Sequence, residues 1–245
     1  MKYTACCSFG KDSLATIILA HQHNEPLDEI VFVEVMFDEN TSGENPEHIK
    51  WIRETAIPKL ESWGYKVKIL HSEWNYVKCF ERVLTRSKHF ERNGKIQGFP
   101  LSMRCFINSL CKVKPMKETD TIQYVGIAVD EPKRLERLKE KKNTISLLEK
   151  YNYTEKMAYE LCEKHGLLSP IYKHLTRGGC WFCPNSSLKE LCFLKEKHPD
   201  IWLKLKTLYE INKNRMIRHN FSWKITFDEL DERLEYEVNN TLFNF

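Results

Sequence analysis

Apolar residues in this chain fall into short runs separated by polar turns. Met1 to Ala5 reads as a buried opening strand, and Leu14 to Ala20, after a polar turn, as a helix. Ile30 to Met36 is an apolar, β-branched run of the kind found in parallel strands covered on both faces. His48 to Gly64 has helical spacing, with Ile49, Ile52, Ala56, Ile57, Leu60 and Trp63 as its stripe, and Pro58 is expected to kink or divide it. Lys66 to Leu70 reads as the next strand, Trp74 to Phe90 as a helix, Arg92 to Ser102 as a loop and Ile122 to Ala128 as a further strand. Lys133 to Lys142 is a charged run expected to be a solvated helix face or a mobile loop. Thr154 is placed to cap a helix that Gly166 ends, and from Leu188 onward the pattern is mostly helical.

Strand, helix, strand, helix, strand is the order of an α/β fold with a doubly wound, mostly parallel sheet. Ligands of such sheets lie beyond the carboxyl ends of the strands, where the turn at residues 8–13 and the polar loop from Asp38 to Pro46 both fall. A boundary is expected near residue 145, with the α/β core in 1–145 and a helical, cysteine-bearing part in 146–245.

Composition narrows this little. The 245 residues carry a formal charge of +4, which suits an anionic ligand without demanding nucleic acid. No apolar run reaches the roughly 18 residues of a membrane span, and no leader pattern opens the chain, so a cytoplasmic protein is expected. Nine cysteines, an odd number, argue against a disulfide framework and for metal or cluster ligation by some of them.

Two stretches carry candidate chemistry. The first is Cys6-Cys7-Ser8-Phe9-Gly10-Lys11-Asp12-Ser13, between the first strand and the first helix. Backbone N–H groups of such a turn and the helix N-terminus converge on one spot and can hold a phosphate. Ser8 and Ser13 add hydroxyls, Gly10 allows close approach, and Lys11 adds a full charge. The spacing is not that of Gly-x-x-x-x-Gly-Lys-Ser/Thr. The second is Gly179-Cys180-Trp181-Phe182-Cys183-Pro184, a knuckle whose two thiolates suit one metal. Cys105 and Cys111 offer a second pair, with Cys192 in reserve. A redox pair at Cys180 and Cys183 and incidental cysteines are the alternatives. Zinc and an iron–sulfur cluster fit the spacing equally, and the Cys-Pro ending favours [4Fe–4S]. Cys6, Cys7, Cys79 and Cys162 read as packing residues.

Ser8-Phe9-Gly10-Lys11-Asp12-Ser13 resembles the PP-loop of the adenine-nucleotide alpha-hydrolase superfamily, usually Ser-Gly-Gly-Lys-Asp-Ser, from which Phe9 departs. Val125-Gly126-Ile127-Ala128-Val129-Asp130-Glu131-Pro132-Lys133-Arg134 resembles the Gly-x-x-x-Asp-Glu-x-x-Arg segment of the phosphoadenosine-phosphosulfate (PAPS) reductase family. Cys105 to Pro115, with Lys112 and Pro115, is similar to that family's Cys…Lys-x-x-Pro stretch. Gly179 to Pro184, followed by Leu188 to Leu191 and His198 to Trp202, looks like the tail of its bacterial and phage-borne members. The Glu-Cys-Gly-x-His motif of true PAPS reductases is missing, since Cys192 is the last cysteine.

The resemblance therefore implies an analogy with PP-loop sulfurtransferases, which split ATP to AMP and pyrophosphate to activate an acceptor. Ser8, Phe9, Gly10, Lys11, Asp12, Ser13, Asp38, Gly126, Asp130, Glu131 and Arg134 would form the nucleotide site, with Lys11, Asp12 and Arg134 acting on the reacting phosphates. Asp12 and Asp38 would hold Mg²⁺, and Cys105, Cys111, Cys180 and Cys183 the metal. Asp38 also reads as a strand-end turn residue, and Asp130 and Glu131 as partners of Arg104 or Arg134. A PAPS or APS reductase and a non-enzymatic nucleotide-binding partner subunit are the alternatives. Lys195, Lys197, Lys204, Lys206, Lys213, Arg215 and Arg218, interleaved with Trp202, Tyr209 and Trp223, would meet nucleic acid or, by default, form a solvated helical surface.

Overall fold

Five short strands build one parallel sheet: β1 (Tyr3–Cys6), β2 (Glu29–Val33), β3 (Val67–Leu70), β5 (Ile122–Tyr124) and β6 (Thr144–Ile145); β4 (Ile96–Gly98) and β7 (Met216–Arg218) pair elsewhere. The computed structural model describes residues 1–100, 105–117, 121–176 and 178–242. The strand order is β3-β2-β1-β5-β6, with Ala5 paired to Ile30 on one side and to Tyr124 on the other. The order reverses between β1 and β5, the place where open α/β sheets leave a crevice for ligands. The fold is thus α/β with a parallel sheet, compatible with the doubly wound arrangement that the strand–helix alternation predicts.

Two compact units divide the chain: Met1–Glu34, Pro46–His71 and Lys114–Gly178 form one, and Val35–Asn45, Ser72–Val113 and Gly179–Phe245 the other. This differs from a single cut near residue 145, because each unit draws on three separated segments. Such long-range pairing leaves no local mark in the sequence.

The first unit holds the five-stranded sheet. Helix α1 (Lys11–Gln22) is apolar on nearly all sides from Leu14 to Ala20, and every residue of that run is buried. Its neighbours in this core include Ile30, Phe32, Ile52, Leu60, Leu148 and Leu161. The helical run from Pro46 to Ser62 stays continuous, with a wider π-type turn at Ile52–Ala56 and an Ile57 N–H to Ile52 carbonyl bond. Pro58 has no N–H to give, and the widened turn just before it absorbs that loss. Thr154 caps Glu155–Lys164 through its bond from the Met157 N–H, and Gly166 (φ 60°) lets the chain leave.

The second unit packs aromatic rings around Phe99, whose ring lies 5.4 Å from that of Phe227 and 5.9 Å from that of Tyr209. Here the helix expected over Trp74 to Phe90 shortens to Tyr76–Phe80. Beyond it the chain pairs with an extended segment, Gln97 N–H bonding to the Arg82 carbonyl and Leu84 N–H to that of Lys95. That pairing also turns the expected loop after Arg92 into β4, which lies parallel to β7. Leu101 and Ser102 of the expected loop lie outside the described residues, as do Arg104 and Phe243 to Phe245. The charged run Lys133 to Lys142 supplies a helix, Pro132–Lys139, with Leu135 and Leu138 buried beneath it. Among the described residues no helix is long and apolar enough to cross a membrane.

Three helices of the second unit meet at Asp231. Its carboxylate accepts from Lys195 Nζ (2.7 Å), Trp202 Nε1 (2.7 Å) and Lys206 Nζ (2.6 Å). Burial alone would raise its pKa, but these bonds outweigh that and lower it. A carboxylate depressed in this way stabilises the fold above its unfolded pKa of about 3.9, and the contribution fades as pH falls through the folded value. Asp231→Asn is expected to cost on the order of 2–4 kcal/mol at pH 7, read as a lower urea midpoint, with the deficit shrinking toward pH 3. Equal midpoints at pH 7 would show that the three-helix tie contributes nothing.

Candidate functional site

The first turn of α1 is shaped before any ligand arrives. Ser13 Oγ accepts from the Ser8 N–H (3.3 Å) and donates to the Gly10 carbonyl (2.9 Å), while Cys7 Sγ accepts from the Phe9 N–H (3.3 Å). Phe9 sits at φ 56°, a left-handed conformation that favours glycine. Its ring is fully buried against Phe32, edge to face at 5.2 Å. The departure of Phe9 from the usual motif thus trades a relaxed backbone for a ring in the core.

Beside this turn the chain leaving β5 comes very close. A Cβ on Gly126 would lie 2.5 Å from the Asp12 carbonyl carbon, 2.7 Å from its oxygen and 2.7 Å from the Ser13 nitrogen. Between the two lies a cavity of about 420 Å³, within the size range of nucleotide-sized pockets. Ser8, Gly10, Asp12 and Ser13 line it from the β1 side. Gln123, Val125, Gly126, Ile127 and Thr144 line it from the ends of β5 and β6, Arg134 and Leu138 from the helix Pro132–Lys139, and Lys141 from just past that helix. The cavity therefore occupies the crevice where the strand order reverses.

Several expected site residues take other places. Lys11 directs its ammonium to Asp12 (2.8 Å) and Glu155 (2.8 Å), and its backbone N–H donates to the Tyr172 hydroxyl (3.0 Å). Burial alone would lower the Lys11 pKa, but the two carboxylates outweigh it and raise it. Burial raises that of Asp12 despite the neighbouring lysine. Asp130 accepts from the Glu155 N–H at the start of its helix, and Glu131 holds the Ala128 N–H and the Arg134 guanidinium. Neither carboxylate lines the cavity. Asp38 belongs to the second unit, where its oxygens accept from the Asn40 and Thr41 N–H groups and the Thr41 hydroxyl, with Lys204 3.5 Å away. Its strand-end turn reading accounts for the bonds from Asn40 and Thr41, and Lys204 adds a distant ion pair.

Cys6, which reads as a packing residue, lines the cavity too, and Gln123, Leu138, Lys141 and Thr144 carry no site signal in the sequence. Leu138 follows Arg134 by about one helical turn and shares its face; Lys141 lies past the end of that helix, and it and the others need the fold. Burial pushes the thiols of Cys6, Cys7 and Cys162 up to about 12.

The second unit gathers a group of thiols. Trp181 anchors the knuckle through its N–H to the Gly43 carbonyl (2.9 Å) and its Nε1 to the Ser42 carbonyl (2.9 Å), and Cys183 N–H closes the turn on the Cys180 carbonyl (3.0 Å). Cys105 lies within electrostatic reach of Cys183, Cys180 and Cys111. Cys79, expected to be a packing residue, is hydrogen-bonded to Cys111, which lowers the Cys79 pKa and raises that of Cys111. Cys192 instead neighbours Glu237, Lys195 and Arg233, away from this group. Glu44, also unassigned from sequence, is buried 3.7 Å from Lys112, and together they flank Cys180. The donor chemistry suits zinc or an iron–sulfur cluster. Among the described residues, however, no three His, Cys, Asp or Glu side chains stand at metal-holding spacing, so the thiols are neighbours rather than a formed cage.

The basic residues considered for nucleic acid are largely engaged. Lys195 and Lys206 pair with Asp231, Lys197 with Glu196, Lys204 with Asp38 and Lys213 with Glu210. Trp202 and Tyr209 are buried, leaving Trp223 exposed. That is the pattern of a solvated, ion-paired helical surface.

No family model, curated protein or solved structure matches this chain. The cavity's geometry can be tested on its own. Gly126→Ala forces a methyl group into the Asp12 backbone and is expected to destabilise the first unit by about 1–3 kcal/mol. Thermal melting measures it; an unchanged transition would mean that the close approach is not a constraint.

Proposed function

We propose that the first unit binds an adenine nucleotide, and that the protein cleaves ATP between its α- and β-phosphates to activate an acceptor for sulfur transfer. The observation that carries this reading is the cavity at the β1–β5 reversal, walled by the Ser8–Ser13 turn and the N-terminus of α1. Helix N-termini attract anions through unpaired N–H groups and the helix dipole. The resemblance of this turn to the PP-loop, and of residues 125–134 to the PAPS-reductase segment, supplies the reaction class and the adenine-nucleotide alpha-hydrolase superfamily as its setting.

In this scheme the Ser8–Ser13 turn holds the β,γ-phosphates and leaves the α-phosphorus open. An oxygen of the acceptor attacks that phosphorus, the bond from it to the bridging oxygen breaks, and pyrophosphate leaves with the electron pair. Arg134 offsets the charge that develops on the leaving group. Asp12 would supply a carboxylate oxygen to Mg²⁺. A sulfur nucleophile then displaces AMP from the acceptor. Cys105, Cys111, Cys180 and Cys183 would hold a [4Fe–4S] cluster or zinc, whose charge would keep these buried thiols as thiolates.

A reductase would need a readily ionised cysteine near the nucleotide; burial keeps Cys6, Cys7 and Cys162 of this unit protonated at neutral pH, which leaves Cys105 or Cys111 as the thiol of that alternative.

Incubation with ATP, Mg²⁺ and a sulfur donor is expected to give AMP and pyrophosphate by chromatography. ADP as the product would rule out α/β cleavage. The Cys180→Ser, Cys183→Ser double variant is expected to lose most of the iron or zinc that anaerobically purified wild type carries, and full retention would remove the knuckle from the ligand set.

A further inference from the structure

The charges around the cavity do not by themselves favour an anion. Beside Lys141, the charged residues that line it are Asp12 and Arg134, one of each sign, and Arg134 is already bonded to Glu131, as Lys11 nearby is to Asp12 and Glu155. A polyphosphate entering such a site finds Arg134 already engaged, which costs affinity unless another cation is at hand.

Lys141 supplies that cation. It lies just past the helix Pro132–Lys139, three residues after Leu138 and seven after Arg134, and all three residues line the same cavity. Its side chain is exposed and forms no ion pair with a carboxylate among the described residues. Lys141 and Cys6, at the end of β1, line the cavity together, and the charge of Lys141 is felt by the Cys6 thiol. An exposed, flexible lysine without a carboxylate partner can swing to a ligand without first breaking an ion pair, whereas Lys11 would have to leave two.

We propose that Lys141 is a ligand-binding residue of this cavity, the cation that meets the phosphate chain of a bound nucleoside polyphosphate. Its placement rests on the structure, while the nucleotide identity rests on the function proposed above. Leu138, apolar and on the same face, would then lie along the neutral part of the ligand.

The test compares wild type with Lys141→Met and Lys141→Arg by calorimetric titration with ATP, adenosine and inorganic pyrophosphate. ATP binding is expected to weaken roughly ten-fold or more in Lys141→Met, as for loss of a charge-assisted hydrogen bond. Lys141→Arg should recover most of it, and adenosine should bind all three proteins alike. If ATP binds wild type and Lys141→Met equally, the role of Lys141 is wrong while the nucleotide site stands. If wild type binds pyrophosphate but not ATP, and Lys141→Met weakens that binding, the nucleotide reading falls and the anion-binding role of Lys141 survives. Wild type that binds neither ATP nor pyrophosphate contradicts both. Because Lys141 is exposed, the variants are expected to melt with wild type, so lost binding would not reflect unfolding.

Discussion

The close approach of Gly126 to the first turn of α1 is the constraint on which the candidate site depends. Any side chain there would press on the Asp12 carbonyl or the Ser13 nitrogen. With glycine in place, the chain leaving β5 runs beside the helix N-terminus, and the cavity opens between them at the reversal of strand order. Parallel pairing of β1 with both β2 and β5 brings these two strand ends side by side. Phe9 contributes from beneath, its buried ring offsetting the cost of its left-handed backbone.

Electrostatics then decide what such a cavity can accept. The α1 N-terminus offers donors, but the nearest full charges are mostly matched within the protein. Lys11, the residue that a motif would nominate first, ties α1 to the helix that begins at Glu155 and is held by Tyr172 from the other side. The thiol group of the second unit has a related logic. Burial raises the pKa of Cys105 and Cys180, while the bond from Cys111 lowers that of Cys79.

Much of this was legible in the sequence. Alternating strand and helix patterns gave the parallel sheet, Thr154 announced its helix, and the Ser8–Ser13 turn declared its position before α1, because these are local signals of propensity and capping. What failed was non-local. Trp74 to Phe90 has helix-compatible spacing, yet after Phe80 it pairs with residues near 96, a partnership no window of sequence reveals. The interleaving of the two units is hidden for the same reason. Asp38 carried two readings, magnesium ligand and strand-end turn residue, and the bonds from Asn40 and Thr41 are those of the turn. Cys79 is buried in the core as its apolar surroundings suggest, and only the fold shows Cys111 beside it.

The most direct test of the central claim is amide hydrogen exchange of the protein with and without Mg²⁺-ATP. The account predicts slowed exchange at residues 8–14 and 125–127, the two segments that wall the cavity. Binding of ATP that leaves both segments unchanged, or protects only the second unit, would contradict it.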